Sequence, residues 1–276
     1  MLRILLILFI WNIFIVIIKK NKRFKKINKN IKLFNIGSSH GLCSFNYKDC
    51  RNSSYNFGWH SQTFYYDYIV LKNYFNKISK DAICFIPISY FSFADKKCWN
   101  KQDMTYRKNL KFYLLEGKDS KEAFLMQYLP LYISVRKKIT KILIKSKKQA
   151  KVKTGIERIK KHVEILSNQN ERNSLIQLEK IIELLFTKNI KIILITTPCR
   201  KEYNDFFKKE LLDEKFYNNI NKIKNKYNLK YLDFSHEYEV FDKEEYFNDY
   251  DHLSNEGSKI FMQELKKKLK IEGIEI

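Results

Sequence analysis

The stretch IKIILITTP, residues 190–198, runs apolar from Ile192 to Ile195 without a polar break. A strand with one wet face alternates apolar and polar residues. An unbroken apolar run instead marks a strand covered on both faces, as in the parallel sheets of α/β proteins. The segment before it, NSLIQLEKIIELLFTKN, places Leu175, Leu178, Ile181, Ile182 and Leu185 on one helical face. Strand-length apolar runs recur at KLFNI (32–36), AICFIPISYF (82–91) and LKYLDFS (229–235). Helical patterns lie between them over 61–78 and 202–227, and a last helix starts near Ser254. This alternation predicts a three-layer α/β/α fold with a parallel sheet.

About a hundred residues separate the second run from the third, too many for a loop, and residues of about 100–170 read as a helical insertion. Within it, YLPLYISVRKKITKILIKSKK (128–148) mixes apolar residues with bases. That pattern fits a helix with one packed face, or one lying on an anionic membrane surface. At the N-terminus, Ile4 to Ile18 is apolar except for Asn12. Fifteen helical residues reach about 22 Å, against a hydrocarbon core of ~30 Å. Met1, Leu2 and the stems of Arg3, Lys19 and Lys20 extend that reach. No small-residue cleavage site follows. The expected organisation is a membrane anchor over 1–20, a basic juxtamembrane segment over 21–30, and one globular domain over 31–276, with membrane lipid as a partner. Eight bases and no acids between Lys19 and Lys32 would hold that flank in the cytoplasm.

The net charge of +23 favours acidic partners. No helix-turn-helix, zinc-finger or RNA-binding signature accompanies it, so nucleic acid is not an expected partner. The five cysteines are scattered, with no CxxC pair or Cys/His cluster, and no metal site is expected. Cys84 reads as a buried apolar residue. Whether Cys43 and Cys50 pair is open.

The chemistry-bearing stretches lie near the two ends. NIGSSHG (35–41) follows the first strand and sets two serines and a histidine between glycines. A serine attacks only if a base takes its proton. His40 adjoins Ser39, but consecutive side chains diverge, so the base must come from elsewhere. YFNDYDHLSNEGSKIF (246–261) supplies it. His252 precedes a helix opened by Ser254, with Glu256 placed to help cap its first turn. Asp249, three residues back, can return to fix the imidazole tautomer, while Asp251 should diverge. His60, His162 and His236 lack such company and read as structural or surface residues.

A strand followed by GSS, then DxDHLSxxG near the other end, resembles the SGNH (GDSL-like) hydrolases. It is closest to membrane-anchored members associated with acyl groups on cell-surface polymers. The resemblance covers about residues 31–270 apart from the insertion. It implies Ser39 as nucleophile, His252 as base and Asp249 as its carboxylate, with Ser38 standing where the family often has Asp. It implies oxyanion donors in the backbone N–H groups of Ser39 and Gly58. No GxND block is present, and the corresponding strand ends in PISYF, which leaves Ser89 or a nearby backbone group as the substitute for its Asn. The implied function is a serine esterase or acyltransferase, needing no cofactor, acting on acetyl or other acyl esters of a surface polysaccharide or similar polymer. A membrane-bound acyltransferase is a further possible partner. The alternative is a non-catalytic SGNH-fold protein that binds or assembles the polymer. Most anchored enzymes of this kind face outward, against the charge cue, so the side of the membrane stays open.

Overall fold

The computed structural model describes residues 2–18, 27, 29–48, 50, 53–94, 110–129, 131, 134–135, 155–168 and 171–276. Most of the basic segment 21–30 and most of the 128–148 stretch lie outside the described residues. The chain divides into two units: residues 1–27 with 102–152, and residues 28–101 with 153–276.

The second unit holds the sheet. In chain order it comprises β1 (Ile31–Asn35), β2 (Ser54–Asn56), β3 (Ile78–Pro87), β4 (Lys191–Thr196) and β5 (Lys230–Asp233). The spatial order is β2-β1-β3-β4-β5, and every pairing is parallel. This is a doubly wound α/β arrangement, in agreement with the expected three-layer fold. The chain leaves β1 towards β2 on one side and returns to β3 on the other. The carboxyl ends of β1 and β3 therefore flank a topological switch point, where such sheets place their ligands.

Alternate strand residues explain the two buried faces. Leu33, Phe85, Ile193 and Ile195 join one apolar cluster with Phe261, Met262, Leu265 and Leu269. On the opposite face Phe34 meets Phe57 edge-on, and Phe57 stacks on Tyr74. Besides two single-turn helices, Lys201–Asn204 and Lys209–Leu212, the α-helices of this unit among the described residues are α2 (Ser39–Ser44), α3 (Phe64–Tyr74), α5 (Gly155–Ser167), α6 (Arg172–Phe186), α7 (Asn218–Tyr227) and α8 (Asn255–Ile271). Helix α3 packs on α6, while α2 packs on α8.

The first unit contains α1 (Leu2–Ile18) and α4 (Gly117–Tyr128). Asn12, the one polar residue of the apolar run, is satisfied within this unit. Its amide donates to the Tyr128 carbonyl at 2.6 Å and accepts from the Leu131 N–H at 3.3 Å. Around it Ile4, Ile7, Phe9, Ile10, Trp11 and Phe14 are exposed. Helix α1 has 17 residues. The expected membrane-spanning helix is not found: no helix among the described residues is long and apolar enough to cross a membrane.

One junction fixes the far end of the sheet unit. Ser254 caps α8 by accepting the Gly257 N–H at 3.2 Å, and its hydroxyl donates to the Glu245 carbonyl at 2.6 Å. Glu256, expected to assist the cap, instead pairs with Lys259 at 2.8 Å. A Cβ on Gly257 would lie 1.9 Å from the Tyr246 carbonyl oxygen, so the loop before α8 packs against bare backbone. Gly257→Ala should therefore destabilise the protein by at least about 2 kcal/mol in urea unfolding. Removing the cap alone, with Ser254→Ala, should cost about 1 kcal/mol. Equal losses would mean that the close approach at Gly257 is not what holds the loop.

Candidate active site

Two loops meet at the carboxyl edge of the sheet. The first leaves β1. Gly37 has φ +108°, which L side chains rarely adopt, and a Cβ there would press on the Pro87 ring at 3.2 Å. Its N–H donates to the buried Asp67 carboxylate at 2.7 Å, and the Gln62 amide donates to the same oxygen at 2.6 Å. Burial pushes the Asp67 carboxyl up to about 7 against both bonds. This tight turn delivers Ser39 as the first residue of α2. Asn56 holds the other end of that helix. Its amide nitrogen donates to the carbonyls of Gly41, Leu42 and Phe45 at 3.0–3.2 Å.

The second loop precedes α8. Phe247 and Leu253 form an antiparallel bridge, and the Asn248 N–H donates to the His252 carbonyl at 2.8 Å. Inside this turn one Asp249 carboxylate oxygen accepts the N–H groups of Asp251 and His252 at 3.1 and 3.0 Å. The side chain thus folds back over its own backbone, as Asp does in Asx turns. That places it on His252, whose Nδ1 lies 2.9 Å from Asp249 Oδ1, while Nε2 lies 2.7 Å from Ser39 Oγ. Asp249, His252 and Ser39 therefore stand in line, with the distances that general-base activation of a serine requires. Asp251 lies 3.5 Å from the same Nδ1 and serves elsewhere.

Asp251 bonds to His40 Nε2 at 3.1 Å, and His40 Nδ1 lies 2.6 Å from Ser89 Oγ. His40 thus faces away from Ser39, as its adjacency implies. The two imidazoles stack, with centroids 4.7 Å apart and planes 6° from parallel. Arg158 binds both carboxylates: Nη1 donates to Asp249 at 2.8 Å, and Nη2 donates to Asp251. His162, one turn further along α5, lies 3.7 Å from Asp251 and 3.0 Å from the Tyr203 hydroxyl. His162 therefore belongs to this cluster, contrary to the sequence expectation that it is unrelated. Their i, i+4 spacing puts Arg158 and His162 on one helical face, a pattern that a solvated basic helix shares.

The expected oxyanion donors are differently engaged. Gly58 packs against α2, where a Cβ would meet the Leu42 nitrogen at 2.7 Å. Its N–H donates to Asn56 Oδ1 at 2.9 Å. Ser89 is bonded to His40. The Ser39 N–H opens α2, where no intrahelical acceptor is available to it. His40, Asp251 and His252 place potential metal ligands within 4.8 Å of one another. The guanidinium of Arg158 already pairs with the Asp251 carboxylate that a metal would need.

Burial pulls the His252 imidazole down, but the Asp249 hydrogen bond and the charge of Asp251 outweigh it and raise its pKa above 6.5. Burial also acts on Asp249, where the bonds from His252 and Arg158 win and hold the carboxyl well below its usual range. His40 goes the other way: burial lowers its pKa despite the bond to Asp251, and the charge of His252 lowers it further. Burial likewise pushes His162 down to about 4. His252 is thus the stronger base of the stacked pair.

Several solved structures are similar to this chain. One is a protein from Streptococcus pneumoniae provisionally named a platelet activating factor, with TM-score 0.43 and 13% identity over 97% of each chain. A second is a provisionally named acylhydrolase from Bacteroides fragilis, with TM-score 0.43 and 12% identity over 91% of this chain and all of that one. A third is a GDSL-like lipase from Bacteroides thetaiotaomicron, with TM-score 0.42 and 11% identity over 88% of each. No family model matches the sequence, and no curated protein matches it. These overlaps are loose, and what the site can do is read from its own geometry.

The two carboxylates are distinguishable by titration. Asp249→Asn removes the bond that most raises the His252 pKa, so its NMR titration midpoint should fall below the wild-type value. Asp251→Asn should lower it less. A larger fall with Asp251→Asn would make Asp251 the carboxylate that serves His252.

Proposed function

We propose that the chain is a serine esterase or acyltransferase, and the observation that carries this reading is the Ser39–His252 contact of 2.7 Å backed by Asp249. Ser39 Oγ attacks an ester carbonyl while His252 Nε2 takes its proton. Asp249 keeps Nδ1 protonated and offsets the imidazolium charge. The Ser39 N–H receives the oxyanion, and the Gly58 N–H joins only by exchanging Asn56 for the substrate oxygen. Collapse returns the proton to the departing alcohol. Water or a sugar hydroxyl then repeats the sequence on the acyl-enzyme. An acetylated surface polysaccharide as substrate is supported by the motif resemblance.

The engaged Gly58 N–H favours a second reading, a polymer-binding protein that keeps the fold without turnover, because one lost oxyanion donor costs about a hundredfold or more in rate. Aryl-acetate hydrolysis separates the two. The esterase reading expects turnover that Ser39→Ala lowers about a thousandfold or more. It also expects kcat/KM to fall below a midpoint above pH 6.5, since only neutral His252 accepts the proton. Wild-type protein without turnover supports the binding reading.

We place the first unit at a membrane surface, a reading supported by the exposed apolar side chains that ring α1. The side it faces is open. Full-length protein should resist alkaline carbonate extraction, whereas a chain beginning at Lys29 should be released. Retention of the shortened chain would move the attachment to residues 102–152.

A further inference from the structure

Beside the Ser39 row stands a second set of the same three groups in the same order. Ser89 Oγ lies 2.6 Å from His40 Nδ1, and His40 Nε2 lies 3.1 Å from Asp251 Oδ2. Asp251 is ionised against Arg158, so it accepts the Nε2–H. His40 Nδ1 is then an acceptor, and the Ser89 hydroxyl donates to it. This is the nucleophile–base–carboxylate relation of a serine hydrolase with the two ring nitrogens exchanged.

Direction follows from the stack. The rings are parallel within 6°, and the carboxylate ends of both rows converge on Arg158. Each hydroxyl is bonded to the ring nitrogen that the carboxylate leaves open. Their places in the fold agree. Ser39 follows β1 and Ser89 follows β3, the two strands that flank the switch point. Ser89 is also firmly seated: its N–H donates to Ser92 Oγ at 2.8 Å, and its carbonyl accepts the Ser92 N–H at 2.8 Å. A histidine buried only for packing needs two polar partners of any kind. It does not need a serine that follows the strand next to the nucleophile's, nor a carboxylate held by the guanidinium that also holds Asp249.

We infer that Ser89, with His40 as base and Asp251 as its orienting carboxylate, is a second acylation site for small acyl esters. The inference rests on the esterase reading of Ser39. Ser89 Oγ bonds the ester carbonyl carbon as its proton passes to His40 Nδ1. Collapse breaks the ester C–O bond, and His40 returns the proton to the departing alkoxide. Water then attacks by the same route, releasing the carboxylic acid and restoring Ser89. Ser89 is 9% exposed, which restricts the site to acyl groups of about acetyl size. Its base is weaker and more enclosed than His252, so it reacts more slowly than Ser39.

The test uses full-length protein, a small fluorophosphonate and peptide mass spectrometry. Wild type should be labelled first at Ser39. Ser39→Ala should acquire an adduct at Ser89, at least about tenfold more slowly, and Ser39→Ala/Ser89→Ala should remain bare. The same Ser39→Ala protein should retain slow aryl-acetate turnover that the double variant lacks. Label at Ser39 in wild type with none at Ser89 in Ser39→Ala overturns the second site alone. An adduct in Ser39→Ala that survives Ser89→Ala also overturns it. Wild type without label at Ser39 counts instead against the esterase reading itself.

Discussion

Two carboxylates two residues apart in one tight turn repel each other, and Arg158 makes their approach tolerable. The Asp251 side chain is fully buried while Asp249 is 32% exposed, and one guanidinium spans both. A planar fork with donors on separate nitrogens suits this task, whereas a lysine ammonium is a single point charge. Each carboxylate then has an oxygen left for an imidazole, and each imidazole has a ring nitrogen left for a serine. Removing one partner of a buried ion pair costs about 3–5 kcal/mol, because the other charge stays behind uncompensated. Stability and chemistry therefore depend on the same contact. The helix that carries Arg158 belongs to the sheet unit, although it follows immediately on residues 102–152 in the chain.

The sheet supplies the rest of the precision. Gly37 turns the chain sharply after β1 because it tolerates positive φ and leaves room for Pro87. Asp67 ties that turn down from α3, and Asn56, the last residue of β2, ties down the far end of α2. On the other side, the bridge between Phe247 and Leu253, the Ser254 cap and the bare backbone of Gly257 hold the histidine loop. Serine and base come from chain segments 213 residues apart. Local turns at Gly37 and Asp249 shape each segment, but neither brings the two together. Each is positioned by the element that follows or precedes it on the sheet edge.

That difference explains what could be read in the sequence. Four of the five strands were legible because burial leaves an apolar run, as at Ile192–Ile195, whereas β2 is three half-buried residues, SYN, with no such run. Ser39 was legible because glycine marks the turn that presents it. Asp249 and His252 were legible because an Asx turn is local, three residues long, and leaves its signature in spacing. Arg158 and His162 were not. Their side chains act across the fold on a turn some ninety residues away, and nothing in GIERIKKHVEIL separates a clamp from a solvated basic face. The pairing of His40 with Ser89 was equally hidden, because adjacency to Ser39 says only where His40 does not point. Gly58 was expected as an oxyanion donor, and it lies against α2 with its N–H on Asn56. The bond its N–H makes depends on the Asn56 rotamer, which no spacing encodes.

The stacked imidazoles also divide the labour between the two rows. Protonating either ring raises the cost of protonating the other, since 4.7 Å separates them and the enclosed site screens little. Only one row can hold an imidazolium at a time. Burial decides which, because His40 has 3% of its side chain exposed against 16% for His252. The charge that develops during attack therefore settles on His252, nearer solvent and supported by a carboxylate that shares the Arg158 charge. His40 stays neutral through that step, holding Asp251 on one side and the Ser89 hydroxyl on the other. Were both rings equally exposed, protonation would be split between them and neither serine would have a dedicated base. The asymmetry in burial, set by the depth of α2 beneath the histidine loop, is what ranks the two hydroxyls.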